Sequence, residues 1–137
     1  MKTLFDSSAF AKRYIDEAGS QTVEDILSST TELGLCIVCI PEILSAYNRL
    51  VREKKLAPSQ YRQLKARFSA DVSDAVIVDL TPDVLAACTL ILEASPVRAL
   101  DALHVACAVQ WAAELFVSAD KRQLAAAKKA GLPTISV

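Results

Sequence analysis

The chain has 137 residues, of which 53% are hydrophobic and 23% are charged, and its formal net charge is -1. This length predicts one compact domain over residues 1–137, and the composition excludes both a disordered and a membrane protein. No apolar run approaches the roughly 20 residues of a spanning helix, and Asp6 interrupts the N-terminal stretch where a signal peptide would stay apolar, which predicts a cytoplasmic protein.

Short apolar runs alternate along the chain with longer segments of helical period. This alternation predicts an α/β fold, and nearly all-apolar strands are of the kind that helices cover on both faces, in a three-layer α/β/α domain. The predicted strands are 3–5, 35–39, 75–78, 115–117 and 134–137. Gly19, Gly34 and Gly131 fall where turns between these elements are expected.

Two apolar stripes at helical spacing predict a pair of helices that form a hairpin. The stripes comprise Ile43, Leu44, Tyr47, Leu50 and Val51, then Tyr61, Leu64 and Phe68. Thr81 followed by Pro82 indicates the N-cap and first turn of a further helix. Gly131 before Leu132 and Pro133 indicates a helix end.

The cysteines raise the question of a disulfide or a zinc site, since Cys36 and Cys39 form a C-x-x-C pair. Strand residues an odd number apart point to opposite faces, so these two sulfurs should diverge. The chain has one histidine and no second C-x-x-C pair to complete a zinc set. Cys88 and Cys107 lie in apolar helical patterns, and we predict that all the cysteines are reduced and buried.

The segment 49–67 carries an excess of positive charge over its single acid, Glu53. Its cations are Arg49, Arg52, Lys54, Lys55, Arg62, Lys65 and Arg67. Such a surface attracts phosphate groups, or an acidic segment of a partner protein, through its local field. The alternative is an ordinary solvated helix face, and charge alone leaves both interpretations open.

Acidic residues follow several of the predicted strands. Asp6 comes directly after the first strand, Glu42 follows the second at a helix start, and Asp120 lies just past the fourth. In open parallel sheets the active crevice lies outside the carboxyl ends of the strands, so these acids should face one edge. Asp101 opens an apolar helix and reaches the same edge if that helix packs beside the fourth strand. Each acid alone is more simply a helix cap, but together they would repel one another, and a magnesium or manganese ion would remove that conflict.

Four sequence segments, through their order and spacing, carry a resemblance to a known family. They are LFDSSAFAKRY, IPEILSA, RALDALHVACA and FVSADKRQLAAAKKAGL. Together they resemble the PIN domains and, within them, the VapC-type toxins of VapBC toxin-antitoxin pairs. The resemblance spans nearly the whole chain. It departs from the family pattern at Ser118, where threonine is common, and serine keeps the hydroxyl group.

The resemblance implies a single PIN domain over residues 1–137 with a central five-stranded parallel sheet. It also implies a Mg²⁺- or Mn²⁺-dependent endoribonuclease, a homodimer, and a cognate antitoxin whose C-terminal segment blocks the cleft. The catalytic and metal-binding residues that it implies are Asp6, Glu42, Asp101 and Asp120, with Ser8 and Ser118 as supporting hydroxyl residues. Asp6 and Asp101 are the best candidates for direct ligation, while Glu42 and Asp120 either ligate the ion or hold its water.

Several residues near these acids have two interpretations each. Three cations either bind substrate phosphate or are ordinary surface residues: Arg98, Lys121 and Arg122. The last two lie at the start of a helix, where the helix dipole disfavours positive charge, and this favours a role in phosphate binding. His104 lies one helical turn after an acid and either relays a proton or is a packed, hydrogen-bonded helix residue. Trp111 is predicted to be a core residue.

Other functions stay open at this point. A phosphotransfer or receiver domain also clusters acids beyond its strands, but Asp6 is followed by Ser7 and Ser8, without the D-x-D of a phosphatase. A PIN-domain nuclease that processes RNA and is no toxin would have the same features. So would a catalytically silent PIN fold that acts as a binding module.

Overall fold

A central sheet of five parallel strands organises the fold in the computed structural model, which describes residues 1–137. The strands are β1 (Lys2–Phe5), β2 (Glu32–Cys36), β3 (Val76–Val78), β4 (Leu115–Ser118) and β5 (Thr134–Ser136). Their order across the sheet is β3-β2-β1-β4-β5. The chain winds outward from β1 to β3 and then crosses back to β4, so β1 and β4 flank the switch point where such sheets open a crevice. The predicted α/β class with a five-stranded parallel sheet is confirmed.

Seven α-helices connect the strands. They are α1 (Ser7–Phe10), α2 (Ser20–Ser29), α3 (Cys39–Arg52), α4 (Pro58–Asp74), α5 (Pro82–Ala94), α6 (Ala99–Gln110) and α7 (Lys121–Lys129). The Thr81 hydroxyl caps α5 by accepting a hydrogen bond from the Val84 backbone N–H at 3.2 Å, as its sequence predicted. Gly131, with φ of +92°, follows α7 in the left-handed conformation that ends many helices. None of the helices is long and apolar enough to cross a membrane.

Two hydrophobic cores lie on opposite faces of the sheet. Neighbouring residues of β1 divide between them: Leu4 packs with α5, α6 and α7, whereas Phe5 packs with α1, α2, α3 and α4. Phe116 and Val117 divide in the same way on β4. Each large side chain buried there contributes about 1.5–3 kcal/mol of transfer free energy. This arrangement confirms the three-layer α/β/α architecture and holds the ends of β1 and β4 firmly in place.

The second strand differs from its prediction. It covers Glu32–Cys36 instead of 35–39, and Cys39 is already the first residue of α3. The apolar run LCIVCI contains no glycine or polar residue to mark where the strand ends. Because proline is tolerated in the first turn of a helix, α3 also begins before Pro41 and not at it.

Gly34 lies inside β2, and the prediction that it forms a turn was wrong. A Cβ atom at this position would lie 2.4 Å from a ring carbon of Trp111. The glycine therefore allows the half-buried Trp111 ring to pack directly on the strand backbone.

All four cysteines are free and buried, as predicted, although the reason differs for one pair. Cys36 ends β2 and packs in the core beside α5 and α6, whereas Cys39 opens α3 and packs in the opposite core. The two side chains diverge because the chain leaves the strand between them, and not because they alternate along it.

Candidate active site

Asp6 lies at the end of β1 and is the N-cap of α1. Asp6 is only 1% exposed. Its carboxylate accepts hydrogen bonds from the Ala9 N–H at 2.9 Å, the Ser8 hydroxyl at 2.8 Å and the Ser118 hydroxyl at 2.7 Å. Burial raises the pKa of Asp6, and the hydrogen bonds from Ser118 and Ala9 only partly oppose that rise. No lysine or arginine pairs with it, so this buried carboxylate is oriented but not neutralised.

Glu42 lies in the first turn of α3, and its Oε1 atom has two partners. The Ser7 hydroxyl donates to Oε1 at 2.8 Å, and the His104 Nε2 atom lies 2.5 Å from it. Burial raises the pKa of Glu42, but the hydrogen bonds from His104 and Ser7 outweigh it, so the pKa lies below its ordinary value. Burial lowers the pKa of His104, and its contact with Glu42 raises it above the ordinary value. The Oε2 atom of Glu42 is left without a hydrogen-bond donor from the protein.

Asp101 and Asp120 both contact Gln123. The Gln123 side chain donates to Asp101 Oδ1 at 3.1 Å, while the Gln123 backbone N–H donates to Asp120 Oδ1 at 3.3 Å. Asp120 is the N-cap of α7 and also accepts from the Arg122 N–H at 2.8 Å. Burial raises the pKa of Asp101, and the charge of Asp120 raises it further. The two carboxylates are thus close enough to repel each other.

Hydrogen bonds join three of these acids, Asp6, Asp120 and Asp101, into one polar edge of the sheet, and Glu42 lies next to them through Ser7. Ser118, at the end of β4, donates to Asp6 and accepts a hydrogen bond from the Asp120 N–H at 2.9 Å. Ser7, which contacts Glu42, directly follows Asp6 in the chain. Asp6 and Asp120 therefore follow the carboxyl ends of β1 and β4, while Glu42 and Asp101 lie in the first turns of helices beside this edge, where the sheet topology opens a crevice.

A polar cleft of about 720 Å³ opens beside α6 and α7. Asp101 and Asp120 line it together with three cations, Arg98, Lys121 and Arg122. These cations are exposed, and none of them forms a salt bridge with an acid. The cleft thus combines carboxylates with unpaired positive charges, an arrangement that can bind a phosphate group next to an acidic centre.

The donor set suits a divalent cation by its charge and ligand chemistry. Asp6, Asp101 and Asp120 have no cationic partner, and hard ions such as Mg²⁺ or Mn²⁺ bind carboxylate oxygens together with water and substrate phosphate. The side chains converge less than the sequence predicted, however: no three acidic, histidine or cysteine residues are placed to hold an ion by themselves. The residues fit such an ion if water and phosphate complete its ligands.

Sequence reasoning did not single out Ser7 and Gln123. Ser7 belongs to the same short D-S-S motif as Ser8, so only the fold tells which acid each hydroxyl contacts. Gln123 stands three residues after the N-cap Asp120, the position at which glutamine normally completes a capping box. Its side chain contacts Asp101 instead, and its Oε1 atom is buried without a hydrogen-bond partner.

Comparisons with known proteins agree with this fold. The family model described as "PIN domain" matches residues 3–129. FitAcB from Neisseria gonorrhoeae has a TM-score of 0.73 and 15% identity, over 98% of this chain and 96% of that one. VapBC2 from Rickettsia felis, bound to a DNA fragment from their promoter, has a TM-score of 0.70 and 10% identity, over 100% of this chain and 99% of that one.

A third similar structure is VapC20 from Mycobacterium tuberculosis, described as a sarcin-ricin loop cleaving toxin. Its TM-score is 0.68 and its identity 15%, over 90% of this chain and 94% of that one. No curated protein matches the chain significantly. Because the family model covers most of the sequence, this chain belongs to the PIN domain family.

Proposed function

We propose that this chain is a Mg²⁺- or Mn²⁺-dependent endoribonuclease, and that it is the toxin of a VapBC-type toxin-antitoxin pair. The observation that carries the proposal is the polar edge in which Asp6, Glu42, Asp101 and Asp120 lie beside a cationic cleft. PIN domains are generally nucleases, which supports a phosphodiester as the substrate.

Asp6 and Asp101 are the proposed direct ligands of the ion, and Glu42 and Asp120 ligate it or hold its water. When bound, the ion would activate water for attack and neutralise charge on the transition state. Ser8 and Ser118 keep the Asp6 carboxylate in one orientation. The Oε2 atom of Glu42, which has no protein donor, is free to accept a proton from the attacking water.

The cationic residues of the cleft are proposed to bind the RNA backbone. Arg98 presents a planar guanidinium group that can donate two parallel hydrogen bonds to one phosphate. Lys121 and Arg122 lie at the first turn of α7, directly after Asp120. Together they would set the scissile phosphate against the acids, which is the positioning that phosphoryl transfer mainly requires.

An RNA substrate and an antitoxin partner are supported by the similar structures. VapC20 is described as a sarcin-ricin loop cleaving toxin. A further similar structure, at 13% identity, is a toxin-antitoxin complex from Klebsiella pneumoniae. We therefore infer that a small antitoxin protein covers the cleft of this chain and blocks it.

A homodimer is also part of the proposal. Leu85, Leu90 and Leu92 are exposed along α5, and Leu90 is 68% exposed. Next to them lies a largely apolar groove of about 510 Å³ between α5, α6 and α7. Apolar surface of this kind is characteristic of an interface, so a Leu90→Glu variant should be monomeric in light scattering if the dimer forms here.

The proposed activity is tested by incubating the purified protein with a mixed RNA pool, in Mg²⁺ or Mn²⁺ and in EDTA. We expect cleavage that EDTA abolishes, and that Asp6→Asn and Asp101→Asn reduce at least 100-fold, since each removes a proposed ligand. Asp25→Asn, on the exposed face of α2, is the matched control and should cleave like wild type.

Other outcomes separate the remaining functions. Cleavage with no effect on cell growth would favour an RNA-processing nuclease that is no toxin. RNA binding without cleavage in any metal would favour a binding module and would refute the enzyme. Growth arrest by the wild type, relieved by Asp6→Asn, would support the toxin.

A further inference from the structure

A buried imidazole contacts one of the proposed catalytic acids. His104, on α6, is 1% exposed, and its Nε2 atom contacts Glu42 Oε1 on α3. The two helices pack on opposite faces of the sheet, so this contact joins the two helical layers at the carboxyl edge. The Ser7 hydroxyl lies 3.4 Å from the same Nε2 atom and donates to the same carboxylate oxygen.

The direction of this hydrogen bond follows from the chemistry of the groups. An ionised carboxylate can only accept, so the proton between His104 and Glu42 is on Nε2. Hydrogen bonds to an ionised partner are about twice as strong as neutral ones. Both donors, His104 and Ser7, bind Oε1, and no protein group binds Oε2. The arrangement therefore holds one oxygen of Glu42 and leaves the other available.

Packing alone does not explain a histidine at this position. The Nδ1 atom of His104 is buried and has no hydrogen-bond partner. Removing this polar atom from water lowers the stability of the fold, and an apolar side chain would avoid that loss. The neighbouring α6 residues Val105, Ala106 and Ala108 fill the core without polar side chains. The imidazole also lies one turn from Asp101 on the same helix, three residues later in sequence.

We infer that His104 is a positioning residue for Glu42: by holding Oε1, it keeps Oε2 free and fixed for a divalent cation or its water. Ser7 is the second donor in this arrangement. The inference rests on the proposed metal-dependent function, but it concerns a contact that exists within the chain itself. Residues that orient metal ligands typically change metal affinity 10- to 100-fold when they are removed.

The main test compares two replacements of His104, one that keeps a hydrogen-bond donor for Glu42 and one that does not. His104→Leu removes the donor, whereas the amide N–H of His104→Gln can still donate to Glu42. We expect His104→Leu to weaken Mn²⁺ binding in calorimetry at least tenfold and to lower kcat more than it changes KM. His104→Gln should restore Mn²⁺ affinity to within about threefold of wild type. Ser7→Ala should have an intermediate effect.

Two controls separate positioning from loss of structure. Thr3→Val removes a fully buried hydroxyl of β1 that contacts Thr30, at the amino end of the strand, and should leave Mn²⁺ affinity unchanged. In a Glu42→Gln background, His104→Leu should change Mn²⁺ affinity less than threefold, because its effect passes through the glutamate.

A spectroscopic measurement reads the contact directly and without metal. His104 is the only histidine of the chain, so its imidazole nitrogen and proton signals in ¹⁵N NMR are unambiguous. The metal-free wild type should show a downfield Nε2–H proton that exchanges slowly with water. Glu42→Leu should shift this signal upfield or remove it through exchange.

The outcomes distinguish this inference from the proposed function. Wild-type Mn²⁺ binding that His104→Leu leaves unchanged in a folded protein would overturn the inference alone. So would equal losses in the Leu and Gln variants, or the same loss in the Glu42→Gln background. A wild type that shows the Nε2–H signal but binds neither Mn²⁺ nor Mg²⁺ would instead refute the metal-dependent function.

Discussion

Replacing Asp101 by asparagine should make the metal-free protein more stable than wild type, and the metal-loaded protein less stable. Burial raises the pKa of Asp101, and the charge of Asp120 raises it further. A carboxyl group whose pKa is raised by folding binds its proton more tightly in the folded state than in the unfolded one. The free energy of unfolding is therefore highest below the ordinary pKa, and it falls as pH increases through the raised pKa. At neutral pH the Asp101 charge therefore destabilises the fold. Asparagine removes the charge, while its amide oxygen can still accept from Gln123.

The exposure of both carboxylates sets the size of this effect. Asp101 and Asp120 are each partly exposed, so water and salt reduce their repulsion to about 0.5 kcal/mol. In a domain of this length, that corresponds to an increase in Tm of roughly 2 °C. Mn²⁺ at 100 times its Kd would stabilise the wild type by about 2.7 kcal/mol, and a variant that lacks one ligand gains much less. The order of the two stabilities should therefore reverse when the ion is added.

The assay is urea denaturation followed by circular dichroism, in EDTA and in saturating Mn²⁺. Asp25→Asn, which alters an exposed aspartate of α2, should follow the wild type in both buffers. If Asp101→Asn is the less stable protein in EDTA, the electrostatic reasoning is wrong. If Mn²⁺ stabilises wild type and variant equally, Asp101 is not a ligand.

Three further changes have defined outcomes. Ser118→Ala leaves the buried Asp6 carboxylate without one of its hydrogen-bond donors and should lower the free energy of unfolding by about 2 kcal/mol in EDTA. The control Ser73→Ala, at an exposed serine of α4, should lower it far less. Equal losses in the two variants would contradict the role of Ser118. Gln123→Leu removes the side-chain donor to Asp101 and should weaken Mn²⁺ binding about tenfold in calorimetry, whereas unchanged affinity would show that this contact is incidental. Burial raises the pKa of Asp71, but hydrogen bonds from Arg13 and Tyr14 lower it overall, so the ionised carboxylate stabilises the fold. Asp71→Asn should therefore lower the free energy of unfolding by about 1 kcal/mol at neutral pH. A group with a lowered pKa stabilises the fold above its ordinary value, so this difference should vanish in urea titrations as pH falls well below 3.8, and a constant difference would exclude the ion pair as its cause.

Much of the fold could be predicted from the sequence because each strand is a short apolar run between turn or helix signals. The bounds of the strand that ends at Phe5 and of the strand that begins at Leu115 were predicted to within one residue. Asp6 and Asp120 could be singled out because they follow these two strands in the sequence. The second strand was displaced because nothing in LCIVCI separates a buried strand from the first turn of a buried helix.

The contacts among the site residues could not be predicted in the same way. Which serine contacts Asp6 and which contacts Glu42 depends on how α1 and α3 pack, and not on the D-S-S motif itself. The contact between Gln123 and Asp101 joins two helices whose relative placement no local pattern encodes. His104 is packed and hydrogen-bonded, which confirms one of its two interpretations, and no local pattern shows that Glu42 is its partner; a proton relay through His104 stays a prediction. The assignment of the acids as metal ligands stays a prediction.

Anomalous diffraction from a crystal soaked in Mn²⁺ would test the proposed metal centre most directly. We predict a peak among Asp6, Glu42, Asp101 and Asp120, with oxygens of at least two of these carboxylates about 2.1 Å from the ion. Side-chain rotation of Asp101 toward that peak would accompany it, while Glu42 keeps its contact with His104. Crystals that are saturated with Mn²⁺ but show no peak there, and carboxylates that stay where they are in the metal-free structure, would contradict it.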